Sequence, residues 1–262
     1  MNQLPTLMVA PNGARRTTAD HLALPVTIAQ IVECAKTCFA AGAEAIHAHV
    51  RDENQRHVLD AGLYRELIGE MTVKVPDMAV QITTEAVGRY SPAEQRAVVR
   101  DVMPKMVSVA LAERARDDDP AQVRKFYHWT AEAGIAVQHI VYSPEELTEL
   151  ARLLDDGVIP AGKLQILFVL GRYARDQQSD PADLRPFLDV LKVAPEVGSQ
   201  AQWAACAFGR AETACLRRAL DLGGAVRVGF ENNLYNADGG LARDNAERVA
   251  EIKALITDGK WD

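Results

Sequence analysis

Short apolar runs rich in β-branched residues alternate with amphipathic helical stretches along the whole chain, and the alternation repeats eight times. The strand candidates are Leu7 to Ala10, Ala45 to Val50, Met78 to Thr83, Met106 to Leu111, Ile135 to Tyr142, Leu164 to Leu170, Gln202 to Ala207 and Ala225 to Phe230. A helical pattern follows each one, as a parallel sheet requires, because its crossovers must span the sheet's length. Eight such units in 262 residues, with no low-complexity stretch or linker, favour a single domain over residues 1–262: a closed (β/α)8 TIM barrel of the α/β class. An open doubly wound sheet is the alternative. Ser91-Pro92, Ser143-Pro144 and Asp180-Pro181 mark helix starts, a side-chain cap followed by the imino acid tolerated in a first turn. The charged run Arg114 to Asp119 reads as a solvated loop.

Composition narrows the function. The 29 Lys and Arg are scattered and outnumbered by 36 Asp and Glu, a net charge of −7, which argues against a nucleic-acid partner. No apolar run approaches the roughly 18 residues of a membrane helix. The four cysteines, Cys34, Cys38, Cys206 and Cys215, form neither a C-x-x-C pair nor a zinc-finger spacing, and no signal segment opens the chain, so a reduced cytoplasm is expected.

In a closed parallel barrel the chemistry sits at the C-terminal ends of the strands. The second strand ends Ile46-His47-Ala48-His49-Val50-Arg51-Asp52, and side-chain alternation puts His47 and His49 on one face. Two imidazoles one pleat apart are candidate metal ligands; a hydrogen-bonded polar pair explains an isolated H-x-H equally well. The eighth strand runs Arg227-Val228-Gly229-Phe230-Glu231-Asn232-Asn233 and offers Glu231 as a third ligand, leaving an open position for substrate or water. Arg227 lies on the same strand, where the plain role of a buried arginine is to pair with a carboxylate.

Taken together, Asn12-Gly13-Ala14, Thr18-Ala19-Asp20-His21, His47-Ala48-His49-Val50-Arg51-Asp52, Gln81-Ile82-Thr83-Thr84, Phe168-Val169-Leu170-Gly171, Phe208-Gly209-Arg210 and Gly223 to Asn233 give a chain that resembles the β-keto acid cleavage enzymes, a family that includes the 3-keto-5-aminohexanoate cleavage enzymes. The resemblance implies one Zn²⁺ per chain on His47, His49 and Glu231 and no other cofactor. It also implies a reaction in which a β-keto acid and acetyl-CoA give acetoacetate and a new acyl-CoA, carried out by a homo-oligomer. Arg227 matches an arginine that acts as electrostatic stabiliser beside the metal, Ser108 matches a hydroxyl position that helps bind substrate, and Thr83 is expected to orient the substrate with it.

The chain departs from the family pattern in four places. Asn232 stands where a carboxylate usually works with the arginine. Glu85, in Thr83-Thr84-Glu85-Ala86, replaces a glycine-rich turn and is a candidate to supply the missing charge beside Arg227, or is merely a loop cap. The fifth strand, Val137 to Ser143, lacks the acidic residues of relatives that take amino-acid substrates, which disfavours an ammonium-bearing substrate; His139 on that strand is a candidate ligand for a substrate carboxylate, or a satisfied core histidine. The ending Lys260-Trp261-Asp262 falls short of a C-terminal helix that many relatives use for oligomer contacts. Two other readings stay open: a metal-dependent hydrolase or lyase acting on a small carboxylic acid, and a non-catalytic metal or small-acid binding protein.

Overall fold

The apolar runs form strands buried on both faces. β1 (Leu7–Val9), β2 (Ala45–Ala48), β3 (Ala79–Thr83), β4 (Met106–Ala110), β5 (Ala136–Val141), β6 (Leu164–Leu170), β7 (Ala201–Ala207) and β8 (Ala225–Val228) pair in sequence order, and β8 returns to β1. The closing seam is parallel, with Leu7, Met8 and Val9 opposite Val226, Arg227 and Val228. This computed structural model describes residues 3–113, 119–198 and 201–258. Arg114 to Asp118 of the expected solvated loop, and Lys260-Trp261-Asp262, lie outside the described residues.

Helices α1 (Ile28–Ala40), α2 (Ala61–Lys74), α3 (Pro92–Val102), α4 (Pro120–Glu132), α5 (Pro144–Asp155), α6 (Leu184–Val193), α7 (Glu212–Asp221) and α8 (Asn245–Asp258) surround the sheet. The expected caps form: Ser91 closes a capping box with Glu94, and Ser143 accepts from the Glu146 N–H. Asp180 caps a short 3₁₀ turn over Pro181–Asp183 that leads into α6 rather than capping α6 itself.

The main core lies between strands and helices, including Ile46, Leu67, Val107, Phe126 and Phe168. Inside the barrel, Met8, Ala45, Ala79 and Met106 close the bottom, and buried Gln81, Gln138 and Gln165 lie higher on β3, β5 and β6. A polar layer inside a barrel is costly unless its groups bond to one another; Gln81 Nε2 donates to Gln138 Oε1 at 3.1 Å.

Two strands stop earlier than their apolar runs suggest. β2 ends at Ala48 because the backbone of His49 leaves the ladder for a side chain: its N–H donates to Asn12 Oδ1 at 3.3 Å and its carbonyl accepts from Asn12 Nδ2 at 2.9 Å. β8 ends at Val228 because Gly229 takes φ +143°, where a Cβ would meet the Ala10 carbonyl oxygen at 2.4 Å. The next N–H, of Phe230, donates to Asn245 Oδ1 at 2.9 Å, and Asn245 Nδ2 donates to the Pro11 carbonyl at 3.1 Å. The start of α8 thereby ties the ends of β1 and β8 together directly under Glu231. The fully buried Arg248 adds a bond to Glu212 Oε2 at 2.8 Å.

Candidate active site

His47 and His49 both project into the barrel mouth, and their Nε2 atoms lie 3.1 Å apart. Glu231 Oε2 lies 3.7 Å from His47 Nε2 and 3.9 Å from His49 Nε2. The loop that brings Glu231 there passes against Gly13, where φ is +59° and a Cβ would stand 2.5 Å from Glu231 Cγ. Only glycine leaves room at that point. Arg51 holds the loop after β1, which carries Gly13, by donating to the carbonyls of Asn12, Gly13 and Arg16.

The hydrogen bonds behind the two imidazoles decide where their protons are. Gln81 Nε2 is committed to Gln138, so its Oε1 accepts from His47 Nδ1–H at 2.8 Å. The Glu85 carbonyl can only accept, so His57 Nε2 donates to it at 3.0 Å. His57 Nδ1 is then bare and accepts from His49 Nδ1–H at 3.3 Å. Both Nε2 atoms are therefore lone pairs, and both face a carboxylate. Three acceptors converge with no proton between them.

Burial is the main force keeping that proton away. It drives His47 down to about 4, helped by Arg227, and pushes His49 well below the usual imidazole range, helped by His57. For Glu231, burial works the other way, but the cationic surroundings, Arg227 foremost and then Arg172 and Arg16, leave the carboxyl below its ordinary value. A cation is what this arrangement needs. With edges of 3.1, 3.7 and 3.9 Å, a point equidistant from the three atoms is about 2.1 Å from each, inside the ~2.0–2.2 Å range for Zn²⁺ bound to nitrogen or oxygen. Glu231 Oε2 has no hydrogen-bond partner among the described residues. The residues fit a divalent metal.

Around this triad opens a cavity at the barrel mouth. Arg227 lines it and reaches Glu231 Oε1 at 3.5 Å, while its Nε and Nη1 lack partners among the described residues. Ser108 Oγ, also without a partner, and Thr83, whose hydroxyl accepts from the Glu85 N–H at 3.0 Å, border the same space.

Three expectations need correction. Glu85 lines the cavity but does not stand beside Arg227; its carboxylate lies 3.9 Å from His49 Nδ1 and 4.0 Å from Arg172, and the partner of Arg227 is Glu231. Asn232 is fully buried and does not border the cavity, its amide without partners among the described residues. His139 faces the helix layer, its ring 5.2 Å from that of Tyr127, because on β5 the inward positions are Gln138 and Ile140. Desolvation alone pushes His139 down to about 4.

Other contributors went unassigned in the sequence. Gln81 was visible only as part of a motif. His57 comes back to the site through a turn in which Asp52 Oδ1 accepts from the Asn54 and Arg56 N–H groups; the signal was the turn-forming run Asp52 to Gln55 followed by Val58, paired to Val50. Arg172, Arg16 and Tyr142 reach the cavity from loops and carry no motif.

The chain matches the beta-keto acid cleavage enzyme family over residues 6–260 and belongs to it. It is 25% identical over 260 residues to a 3-oxoadipate:acetyl-CoA acetyltransferase of Cupriavidus necator, covering 97% of this chain and 89% of that one. A 3-keto-5-aminohexanoate cleavage enzyme of Fusobacterium nucleatum is 26% identical over 249 residues, covering 93% and 88%. Among solved structures, ObcA in a ternary complex with a C4-CoA adduct and oxalate superposes with a TM-score of 0.69 at 18% identity; the match covers 90% of this chain and only 64% of that one. That likeness supports the fold. No helix among the described residues is long and apolar enough to cross a membrane.

Proposed function

We propose that this member of the family is a Zn²⁺-dependent acyltransferase that converts a β-keto acid and acetyl-CoA into acetoacetate and a new acyl-CoA. The observation that carries the reading is the convergence of two proton-free Nε2 atoms and an ionised carboxylate at an open barrel mouth, within a chain that belongs to this family. The bonds balance without a redox partner: C2–C3 of the keto acid and the acetyl C–S bond break, and a C2–acetyl bond and a new acyl–sulfur bond form.

His47, His49 and Glu231 would hold the metal, which supplies a Lewis acid for the keto oxygen. Arg227 places its guanidinium where negative charge develops as C2–C3 breaks. Ser108 and Thr83 orient the substrate from β4 and β3. Glu85 is the candidate to move the C2 proton: burial, and then the charge of Glu231, raise its carboxyl to about 7, near the working pH of a general base. The free cysteines Cys34, Cys38, Cys206 and Cys215 support a reducing cytoplasm.

The test incubates purified protein with β-keto acids and acetyl-CoA and measures acetoacetate. Formation that stops with a chelator and returns with Zn²⁺ is expected. Keto acid consumption without the thioester would replace the reading with a hydrolase or lyase, and metal binding with no turnover of any keto acid would leave a binding protein.

A further inference from the structure

The cavity has two unlike sides. On one, His47 from β2 meets Glu231 and Arg227 from the β8 end. On the other stands Arg172, just beyond the end of β6, and in a closed barrel of eight strands β6 lies diametrically across from β2. Between them the lining turns apolar, with Ala110, Ile140 and Val169.

Arg172 differs from the cavity's other sheltered guanidiniums. Arg227 is paired with Glu231, and Arg16 donates to the carbonyls of Phe230 and Asn232. The Arg172 side chain is only 12% exposed, and its guanidinium lies 5.0 Å over the Phe208 ring. It makes no hydrogen bond among the described residues; the nearest carboxylate oxygen, on Glu85, is 4.0 Å away. The contact with Phe208 holds the guanidinium without using its N–H groups, which stay available for bidentate capture of a carboxylate. Charge points the same way. Four guanidiniums, those of Arg15, Arg16, Arg172 and Arg227, line the cavity against two carboxylates, Glu85 and Glu231. That positive excess exists before any divalent ion adds to it, and a keto acid with a single carboxylate would leave most of it uncompensated.

We propose that Arg172 binds a second carboxylate at the far end of the substrate, so that the keto acid is a β-keto dicarboxylate with a short aliphatic spacer lying across Ala110, Ile140 and Val169. The spacer passes over a surface with nothing to offer a polar group. The exposed Arg15 at the rim, not the sheltered Arg172, is placed for the phosphates of a coenzyme entering from solvent. The inference rests on the β-keto acid reading of this site, and its test separates the two.

The experiment compares 3-oxoadipate with 3-oxohexanoate, which differ only in a terminal carboxylate against a methyl group, in the metal-loaded enzyme and its Arg172→Gln variant. In parallel, calorimetry measures binding of adipate and hexanoate, which cannot react. The parent should prefer the dicarboxylate by about 10–100-fold in kcat/KM, the scale of a lost charge-assisted hydrogen-bond pair. Arg172→Gln should remove that preference with metal content unchanged; the charge it removes beside Glu85 acts on both substrates alike, so the ratio of their rates reports the terminal carboxylate. Adipate binding should weaken by the same factor and hexanoate binding should not change. Equal parental rates on the two substrates, or an equal loss on both in the variant, would overturn the proposal. So would a rise confined to the KM for acetyl-CoA, which would assign Arg172 to the coenzyme phosphates. If neither keto acid turns over, the reaction reading fails by itself, and selective, Arg172-dependent adipate binding still decides the role of this residue.

Discussion

Replacing Gln81 by Leu changes little volume and removes the group that fixes the proton of His47. Two buried partners lose their bonds at once: His47 Nδ1–H, now 2.8 Å from Gln81 Oε1, and Gln138 Oε1, now 3.1 Å from Gln81 Nε2. An orphaned buried polar group costs about 1–3 kcal/mol, so the apo protein should lose about 2–6 kcal/mol by urea unfolding. The imidazole is then free to carry its proton on Nε2, where it blocks the metal, and Zn²⁺ affinity should fall about 10–100-fold in chelator competition. The double variant Gln81→Leu/Gln138→Leu separates the effects. Removing the stranded Gln138 oxygen should restore about 1–3 kcal/mol of stability and none of the metal affinity, because His47 still lacks an acceptor. Unchanged affinity in the single variant, or affinity that recovers in the double variant, would refute the reasoning that the glutamine relay sets the ligand's tautomer.

Three further outcomes are expected. Arg227→Ala should keep its metal by elemental analysis and lose about 10²–10³ in kcat, since the guanidinium acts on charge that appears in the transition state; unchanged turnover would make it a structural partner of Glu231. Glu85→Gln should lower turnover by about 10²-fold and flatten the rise of rate with pH, which in the parent follows a carboxylate held near 7 by burial and Glu231 and moves lower when a cation is bound; an unaltered pH profile would exclude it as the base. His139→Phe should make the protein less acid-sensitive. The buried imidazole titrates at about 4, against about 6.5 when unfolded, so the unfolded state binds more protons between those values and the parent's stability falls as pH drops through that window. Comparing urea unfolding at pH 7 and about pH 4.5, the parent should lose about 2 kcal/mol more than the variant; equal losses would show that His139 is not held neutral.

Much of this protein follows from local rules that need no fold. Eightfold alternation of strand and helix leaves few topologies, side-chain alternation puts His47 and His49 on one face, and Ser-Pro pairs start helices because their chemistry is complete within a few residues. Their meaning changes where elements from distant parts of the chain meet. The hydrophobic pattern of β5 does not say whether Gln138 or His139 points inward, because both faces of a barrel strand are buried; the bond from Gln81 on β3 decides it. Glu85 was expected to serve Arg227 and instead faces Arg172 and His49, since a loop's direction is set by what it packs against. His57 and Arg172 had no periodicity to announce them. The strand order, the helix starts and the three candidate acceptors are legible along the chain because each is a local pattern; barrel closure, which brings β8 back beside β1 and so within reach of β2, makes those acceptors converge without a proton between them.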